Sequence, residues 1–387
     1  MNAFSWHQPT ELVFGAGRIQ EIGRLAARFG RRILLVTGPT SGSVSVILDR
    51  VLALLRSGGL EVAHFDGVVP NPTTDIVTVG AGLARESGAE VVVGLGGGSS
   101  MDVAKAIAVE ASHPGTAWDY LYYKTPPTSA TLPVIAVTTT SGTGSHVTQC
   151  SVITRTEDQD KSALWHANLF PRVALVDPEL MLALPRRVTA HTGFDAFCHS
   201  FEAYISNAAN PYSEMLALEA IRLISQNLRR VLDNGSDLAA RSAMAWADTL
   251  AGLAISSAGV TLPHGLGMQI SGHCPRVTHG QSLAVTYPAF TRFTWQSAVP
   301  KFATVGRILN PALDSQPDHE AASQTCGEID LFLREIDLWI GFRDLNVTRD
   351  EIVTIAAAGQ VLPDYKNNPR VASLDEMISL MLDCFER

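Results

Sequence analysis

Along the first half of the chain, short apolar runs alternate with longer stretches whose apolar positions recur every three or four residues. Arg32–Thr37, Leu60–Phe65, Glu90–Val93, Leu132–Val137 and Val173–Val176 are the short runs, rich in Val, Ile and Leu. They read as strands. Between them, Val46–Leu55, Ile76–Glu86 and Met101–Glu110 are apolar at helical spacing. Strand alternating with helix, with the strands apolar throughout, predicts a Rossmann-like parallel sheet covered by helices on both faces. After Asp177-Pro178 and Leu184-Pro185 the rhythm changes. Val188–Ser206, Ser213–Asp233, Leu238–Ser257, Phe302–Leu309, Ala321–Leu338 and Leu374–Phe385 read as helices, with no strand-like alternation. Arg229, Arg230 and Arg241 read as a solvated face. The pattern predicts an α/β domain over residues 1–185 and an all-helical domain over residues 186–387.

Composition narrows the function classes. A chain of 387 residues suits two domains, and 46% hydrophobic with 17% charged residues excludes extensive disorder. The net charge is −9 and no basic run is present, which argues against nucleic acid or an anionic membrane as partner. No apolar run reaches the ~20 residues of a membrane span. Met1–His7 lacks a charged n-region followed by an apolar one, so no secretory signal is expected. The five cysteines (Cys150, Cys198, Cys274, Cys326 and Cys384) are scattered and form no Cys-x-x-Cys, which fits a reduced, cytoplasmic setting. Cys198 falls on another side of its helix from its neighbour His199 and reads as a small core residue.

Two loops carry candidate binding chemistry, each beyond the carboxyl end of a strand, where ligands of parallel sheets bind. The first runs Gly94-Leu-Gly96-Gly97-Gly98-Ser99-Ser-Met-Asp102 and opens a helix. Its bare N–H groups and the helix N-terminus suit a pyrophosphate; a simple tight turn is the alternative. Ser99 stands where the usual dinucleotide fingerprint has a third glycine, and Lys105 comes too late for a P-loop lysine. The second loop, Thr138-Thr139-Thr140-Ser141-Gly142-Thr143-Gly144-Ser145, is a hydroxyl-rich turn.

Asp195 and His199 lie four apart in an apolar stretch from Phe194 to Ile205 that lacks Pro and Gly. On a helix they share a face. With His264 and His279, each followed by Gly, they offer one oxygen and three nitrogens, a set for Fe(II) or Zn(II) rather than Ca or Mg. Spacing alone also allows a capping or ion-paired Asp195 and a core His199.

Asp195-Ala-Phe-Cys-His199, His264-Gly and His279-Gly, taken with the glycine loop and the threonine loop, resemble the iron-containing (group III) alcohol dehydrogenase family over nearly the whole chain. The resemblance implies a dehydroquinate synthase-like architecture of an α/β and an all-α domain. It implies a cytoplasmic homodimer or higher homo-oligomer that moves a hydride between NAD(P)(H) and a small alcohol or aldehyde. Asp195, His199, His264 and His279 would hold Fe(II), with Zn(II) as the alternative. Gly96, Gly97, Gly98, Ser99, Thr138, Thr139, Ser141 and Thr143 would line the cofactor, with Asp102 near the nicotinamide end and Lys161 near the ribose. Relatives that use NAD commonly place an Asp at the position of Gly38; here Thr40, Ser41 and Ser43 offer hydroxyls instead, which tilts the expectation to NADP(H) over NAD(H). The chain departs from the family pattern at His146, where the family usually has Glu, and at Met268, where many members carry a second His. His146 would bring a titratable, cationic ring, and with His166, His273 and Arg370 would favour an anionic aldehyde. Cys150, Trp165 and Asn368 complete the candidate substrate contacts, Asn368-Pro369 resembling a pocket loop of the family. A dehydroquinate synthase-like cyclase or lyase and a non-catalytic dinucleotide sensor are the competing readings.

Overall fold

The computed structural model describes residues 3–39 and 43–386. Thr40 and Ser41 therefore lie outside the described residues, as does the side chain of Ser43. The chain forms two compact units, His7–Leu184 and Pro185–Arg387, the latter together with Met1–Trp6. The Trp6 ring packs on Tyr212 with centroids 4.9 Å apart, so this segment goes with the helical unit.

In the α/β unit the strands are β1 (Glu11–Phe14), β2 (Arg32–Val36), β3 (Glu61–Phe65), β4 (Val91–Gly96), β5 (Val134–Thr138), β6 (Cys150–Arg155), β7 (Asp160–Trp165) and β8 (Val173–Val176). The helices are α1 (Ile22–Ala26), α2 (Ser43–Ser57), α3 (Thr74–Glu86) and α4 (Gly98–Ser112). Six strands form one sheet in the order β1-β8-β5-β4-β2-β3, and every pairing in it is parallel. Leu34, Val36, Val92, Val134 and Phe65 face one apolar layer, and Ile33, Leu35, Val91, Val93, Ile135 and Leu175 face the other. This is why the strands are apolar on consecutive positions. The chain runs from β2 outward to β3 and then returns to place β4 on the other side of β2. The sheet thus reverses direction between β2 and β4, and the crevice beyond their carboxyl ends is the place where such sheets bind ligands.

The sequence pattern misses three pieces of this unit, the five-residue α1 among them. β1 is a four-residue edge strand with only Val13 fully buried, too short to stand out. The antiparallel hairpin of β6 and β7 spans 150–165, with Gln159 at φ 58° in its turn. Its strands mix Ser, Thr and charged residues with Val, Ile and Leu, which conceals the period of two.

The helical unit contains α5 (Arg186–Ile205), α6 (Pro211–Asp233), α7 (Leu238–Ala258), α8 (Leu262–His273), α9 (His279–Thr294), α10 (Val299–Leu309), α11 (Asp318–Glu335), α12 (Arg349–Gly359) and α13 (Leu374–Leu382). α5 is its axis: every residue from Gly193 to Ile205 is buried. A helix surrounded by others needs apolar residues on all faces. Phe194, Phe197 and Phe201 stack along α5 and meet Tyr287 of α9, Phe302 of α10 and Phe332 of α11. Arg241 is not part of a solvated face. It is 3% exposed, and its guanidinium donates to Thr189 Oγ1 (2.9 Å) and to the Gly235 carbonyl (2.9 Å), tying α7 to the start of α5. Arg229 and Arg230 are exposed and pair with Glu335 and Asp237.

Candidate metal centre and nucleotide loops

Because α5 is buried on all sides, the polar residues on it must find partners. Asp195 and His199 are 3% and 6% exposed, one turn apart on the same face. His264 lies in the first turn of α8, and His279 is the first residue of α9. Three helices therefore deliver the four side chains to one point. Nε2 of His199, His264 and His279 lie 3.7, 3.5 and 3.6 Å from a single atom, Oδ1 of Asp195. The rings of His199 and His264 stack with centroids 4.5 Å apart. Ligands bound at ~2.1 Å in tetrahedral array about one ion stand roughly 3.4 Å from each other; the donor atoms of Asp195, His199 and His264 all lie within 4.8 Å of one another, and the half-buried His279 joins them through its 3.6 Å approach to Asp195. Oδ1 of Asp195 and Nε2 of His264 are buried and accept or donate no hydrogen bond among the described residues. Leaving such atoms unsatisfied is costly unless a ligand uses them.

The electrostatics agree. Burial pushes the Asp195 carboxyl up, but the rings of His199, His279 and His264 outweigh it and bring it to about 2. Burial pulls His264 down, but Glu202 and Asp195 outweigh it and raise the ring to about 10. The two carboxylates thus stabilise positive charge at His264. The residues fit a divalent cation.

Sequence reasoning passed over the carboxylate behind this set. Glu202 is fully buried on α5, and its Oε1 lies 2.7 Å from Nδ1 of His264. It stands seven residues after Asp195, two helical turns along the same face, and that spacing was the available signal. Asp364 was also missed. It lies under Gly265, where a Cβ would come within 3.9 Å of its Oδ2, and burial raises its carboxyl to about 6.

In the α/β unit the two flagged loops pack on each other. A Cβ on Gly98 would stand 2.7 Å from Thr143 Cγ2, and one on Gly97 would stand 3.3 Å from Thr140. Gly94 admits α4 against β4, since a Cβ there would lie 2.9 Å from that of Ala104. Gly96 has φ 147°, and its carbonyl accepts from the Thr139 N–H at 2.9 Å. Gly97 caps α4 without a side-chain hydrogen bond, so the N–H groups of the first turn, at Gly98 and the half-buried Ser99, remain available for an anion. This turn follows β4, and Gly38 follows β2, the two strands that flank the reversal in the sheet.

Several predicted cofactor contacts are engaged within the protein. The Thr138 hydroxyl donates to the Thr140 carbonyl (2.8 Å), and that of Ser141 reaches Met181 Sδ (3.1 Å). Asp102 accepts from the Ser145 hydroxyl (2.6 Å) and the Val152 N–H (3.1 Å). Lys161 is buried and donates to Asn71 Oδ1 at 2.8 Å; it is not a solvated surface lysine. Gly38 lies in a tight place, with the Val68 carbonyl 3.0 Å from the position of a Cβ. Beside it the Thr37 hydroxyl meets His64 Nε2 at 2.9 Å, and the Asp66 carboxylate acts on that ring.

The cationic reading of His146 is overturned. The ring is fully buried, and desolvation, with the nearby Lys105 ammonium, lowers it to about 3, so it is neutral near pH 7. Lys105, read only as a lysine out of P-loop register, is itself completely buried. Its Nζ donates to the carbonyls of Ser145 and Cys150 (2.7 Å each) and to Ser145 Oγ (2.9 Å). Its place one turn after Asp102 was the missed signal. Arg370 pairs with Glu376 (2.7 Å) over the Phe293 ring, and His273 Nδ1 lies 3.1 Å from the Gln269 carbonyl of its own helix. His166 caps the turn at Asn168, Cys150 pairs with Trp165 across the hairpin, and Asn368 is buried on Thr294 Oγ1. Little here supports selection for an anionic substrate.

Both units, with their metal-type donor set and dinucleotide-type loops, match one family. Residues 9–178 match the iron-containing alcohol dehydrogenase family and residues 189–385 the C-terminal part of the Fe-containing alcohol dehydrogenase family. The chain belongs to the iron-containing alcohol dehydrogenases. It is 34% identical over 384 residues to the 1,3-propanediol dehydrogenase of Klebsiella pneumoniae, covering 99% of both chains. It is 30% identical to the NAD-dependent methanol dehydrogenase of Bacillus methanolicus, covering 96% of this chain and 97% of that one. The structure resembles an archaeal halo-thermophilic alcohol dehydrogenase from a Red Sea brine pool with a TM-score of 0.93, at 32% identity and full coverage of both chains.

Proposed function

We propose that this protein interconverts a small alcohol and its aldehyde, using a nicotinamide dinucleotide and a divalent metal ion held by Asp195, His199, His264 and His279. The observation that carries the reading is the meeting of three imidazole Nε2 atoms within 3.5–3.7 Å of one carboxylate oxygen in a buried site. A metal bound there supplies a Lewis acid toward the substrate oxygen. A bound nicotinamide supplies or accepts the hydride. Asp195 contributes the one negative charge of the donor set and stays ionised down to about pH 2. The N–H groups of Gly98 and Ser99 receive the pyrophosphate. Asp102 and Lys105 hold the threonine loop against α4 through Ser145.

Three finer assignments belong to the same proposal. Fe(II) is the metal, with Zn(II) as the alternative, since nitrogen and oxygen donors serve both. NADP(H) is favoured over NAD(H) because Gly38 brings no carboxylate to the end of β2; Asp66 at the end of β3 works in the opposite direction. Met268, buried and without a transferable proton, leaves protonation of the product oxygen to water and the cofactor ribose. Family membership supports a cytoplasmic homo-oligomer, at least a dimer.

The test is oxidation of NADPH or NADH with a panel of short aldehydes, before and after chelation. Turnover that chelation abolishes and Fe(II) or Zn(II) restores is expected. Turnover that survives complete metal removal would contradict the proposal. A cyclase acting on a phosphorylated polyol would need clustered Lys and Arg at the site, whereas the polar side chains that Glu202 holds behind the donor set are His264, Thr261 and Tyr287.

A further inference from the structure

Glu202 makes contacts that the four proposed ligands do not account for. Its two carboxylate oxygens face different elements. Oε1 lies 2.7 Å from Nδ1 of His264 and takes a longer contact from the Tyr287 hydroxyl at 3.4 Å. Oε2 accepts from the backbone N–H of Thr261 (2.8 Å) and from its hydroxyl (3.1 Å). Thr261 is the N-cap residue of α8, three positions before His264, and its own side chain caps nothing in that helix. One side chain on α5 therefore holds both the start of the helix that carries His264 and the ring itself.

The consequences follow from imidazole chemistry. A carboxylate oxygen facing Nδ1 of His264 keeps a hydrogen on that nitrogen, so Nε2 is the one that can give its lone pair to a metal. Nε2 is the atom that faces Asp195 Oδ1 at 3.5 Å. A carboxylate behind a ligating histidine also makes it a stronger donor and fixes its plane. We propose that Glu202 is the positioning residue of the metal centre, setting the tautomer and orientation of His264 and anchoring the first turn of α8. The inference rests on His264 being a ligand, as proposed above.

Glu202→Gln tests it, because an amide has one acceptor oxygen and one donor nitrogen. If the oxygen serves His264, the NH₂ group confronts the Thr261 N–H, and if it serves Thr261 the ring loses its acceptor. Metal-free wild type and variant are titrated with Zn(II) against a chromogenic chelator, with circular dichroism confirming that both are folded. The variant is expected to bind about 10–100-fold more weakly, the usual cost of removing such a partner. In a His264→Ala background the same substitution should add little, because its effect runs through that ring; a general structural role would weaken both backgrounds alike. Should Glu202→Gln not fold, Thr261→Val removes one donor to Oε2 and is expected to weaken Zn(II) binding severalfold. Zn(II) affinity unchanged by whichever folded variant is measured overturns the positioning role alone. Wild type that binds no Zn(II) overturns the metal assignment and the positioning role together.

Discussion

Two buried polar clusters among the described residues differ in how completely they are satisfied. In the α/β unit, the Lys105 ammonium finds three acceptors within 2.9 Å, and Asp102 accepts two hydrogen bonds. In the helical unit, four polar side chains converge, yet Asp195 Oδ1 and His264 Nε2 have no hydrogen-bond partner among the described residues. The first cluster commits the Lys105 ammonium and both Asp102 oxygens to fixing α4, the threonine loop and β6, although Thr140 Oγ1 of that loop has no partner among the described residues. The second aims its capacity at one point in space. Satisfied networks build architecture; convergent unsatisfied atoms mark where a ligand belongs.

If that contrast is right, the two clusters should fail differently. The largest effect on stability should come from Lys105→Met, which takes away the cation 3.9 Å from Asp102 and the donor to two carbonyls. Denaturant unfolding should show a loss of about 3–5 kcal/mol, whereas His264→Ala should leave a stably folded protein. A destabilisation by Lys105→Met no greater than by His264→Ala would erase the distinction.

The α/β cluster should also respond to acid through His146. Its pKa is about 3 in the fold, below the ordinary 6.5, so between these values the unfolded chain binds the proton and the folded one does not. Stability is then full above about pH 6.5 and declines as pH falls toward 3, by at most about 1.4 kcal/mol per pH unit for one proton. Thermal midpoints of wild type and His146→Gln across that range should diverge, the variant showing the shallower slope. Parallel curves would mean that the ring is not held neutral.

At the nucleotide end, Gly38→Asp should weaken NADPH binding far more than NADH binding, measured by fluorescence titration. Gly38→Ala controls for crowding against the Val68 carbonyl, which affects both cofactors equally. Equal responses to Asp would place Gly38 away from the 2′-position. The smallest effect is expected from His273→Ala, whose ring already lies against the Gln269 carbonyl. It should keep a substantial part of wild-type turnover, with its pH-rate profile little changed. A loss of several hundredfold, with an ionisation near neutral pH disappearing, would make His273 the proton relay.

The same contrast explains how much the sequence revealed. The strand and helix order of the α/β unit was legible because buried parallel strands are continuous apolar runs, and β8 spans the residues that the pattern marked. α8 and α9 were not marked as helices, since Pro263, Gly265, Gly267, Gly272 and Pro288 give that stretch the look of loop. Yet Gly267 and Gly280 serve packing: a Cβ on either would stand within 3.0 Å of Ser282 or His191. Asp195 and His199 could be named because four-residue spacing in an apolar stretch sets them on one helix face, and His264 and His279 because each precedes a Gly and completes the family resemblance. Glu202 escaped notice because a carboxylate on a helix ordinarily means solvent, and only the fold shows that it faces His264. His146 was read with the wrong charge for a similar reason, since burial reverses the preference of a ring and cannot be seen from its neighbours in sequence.

Asp195, His199, His264 and His279 are proposed to bind one divalent ion. The direct measurement is metal content per chain after anaerobic loading with Fe(II) or Zn(II) and removal of excess, for wild type, Asp195→Asn, His264→Ala and His279→Ala. About one ion per wild-type chain is expected, with a large loss in each variant and helical content retained. Variants that hold the same metal as wild type would contradict it.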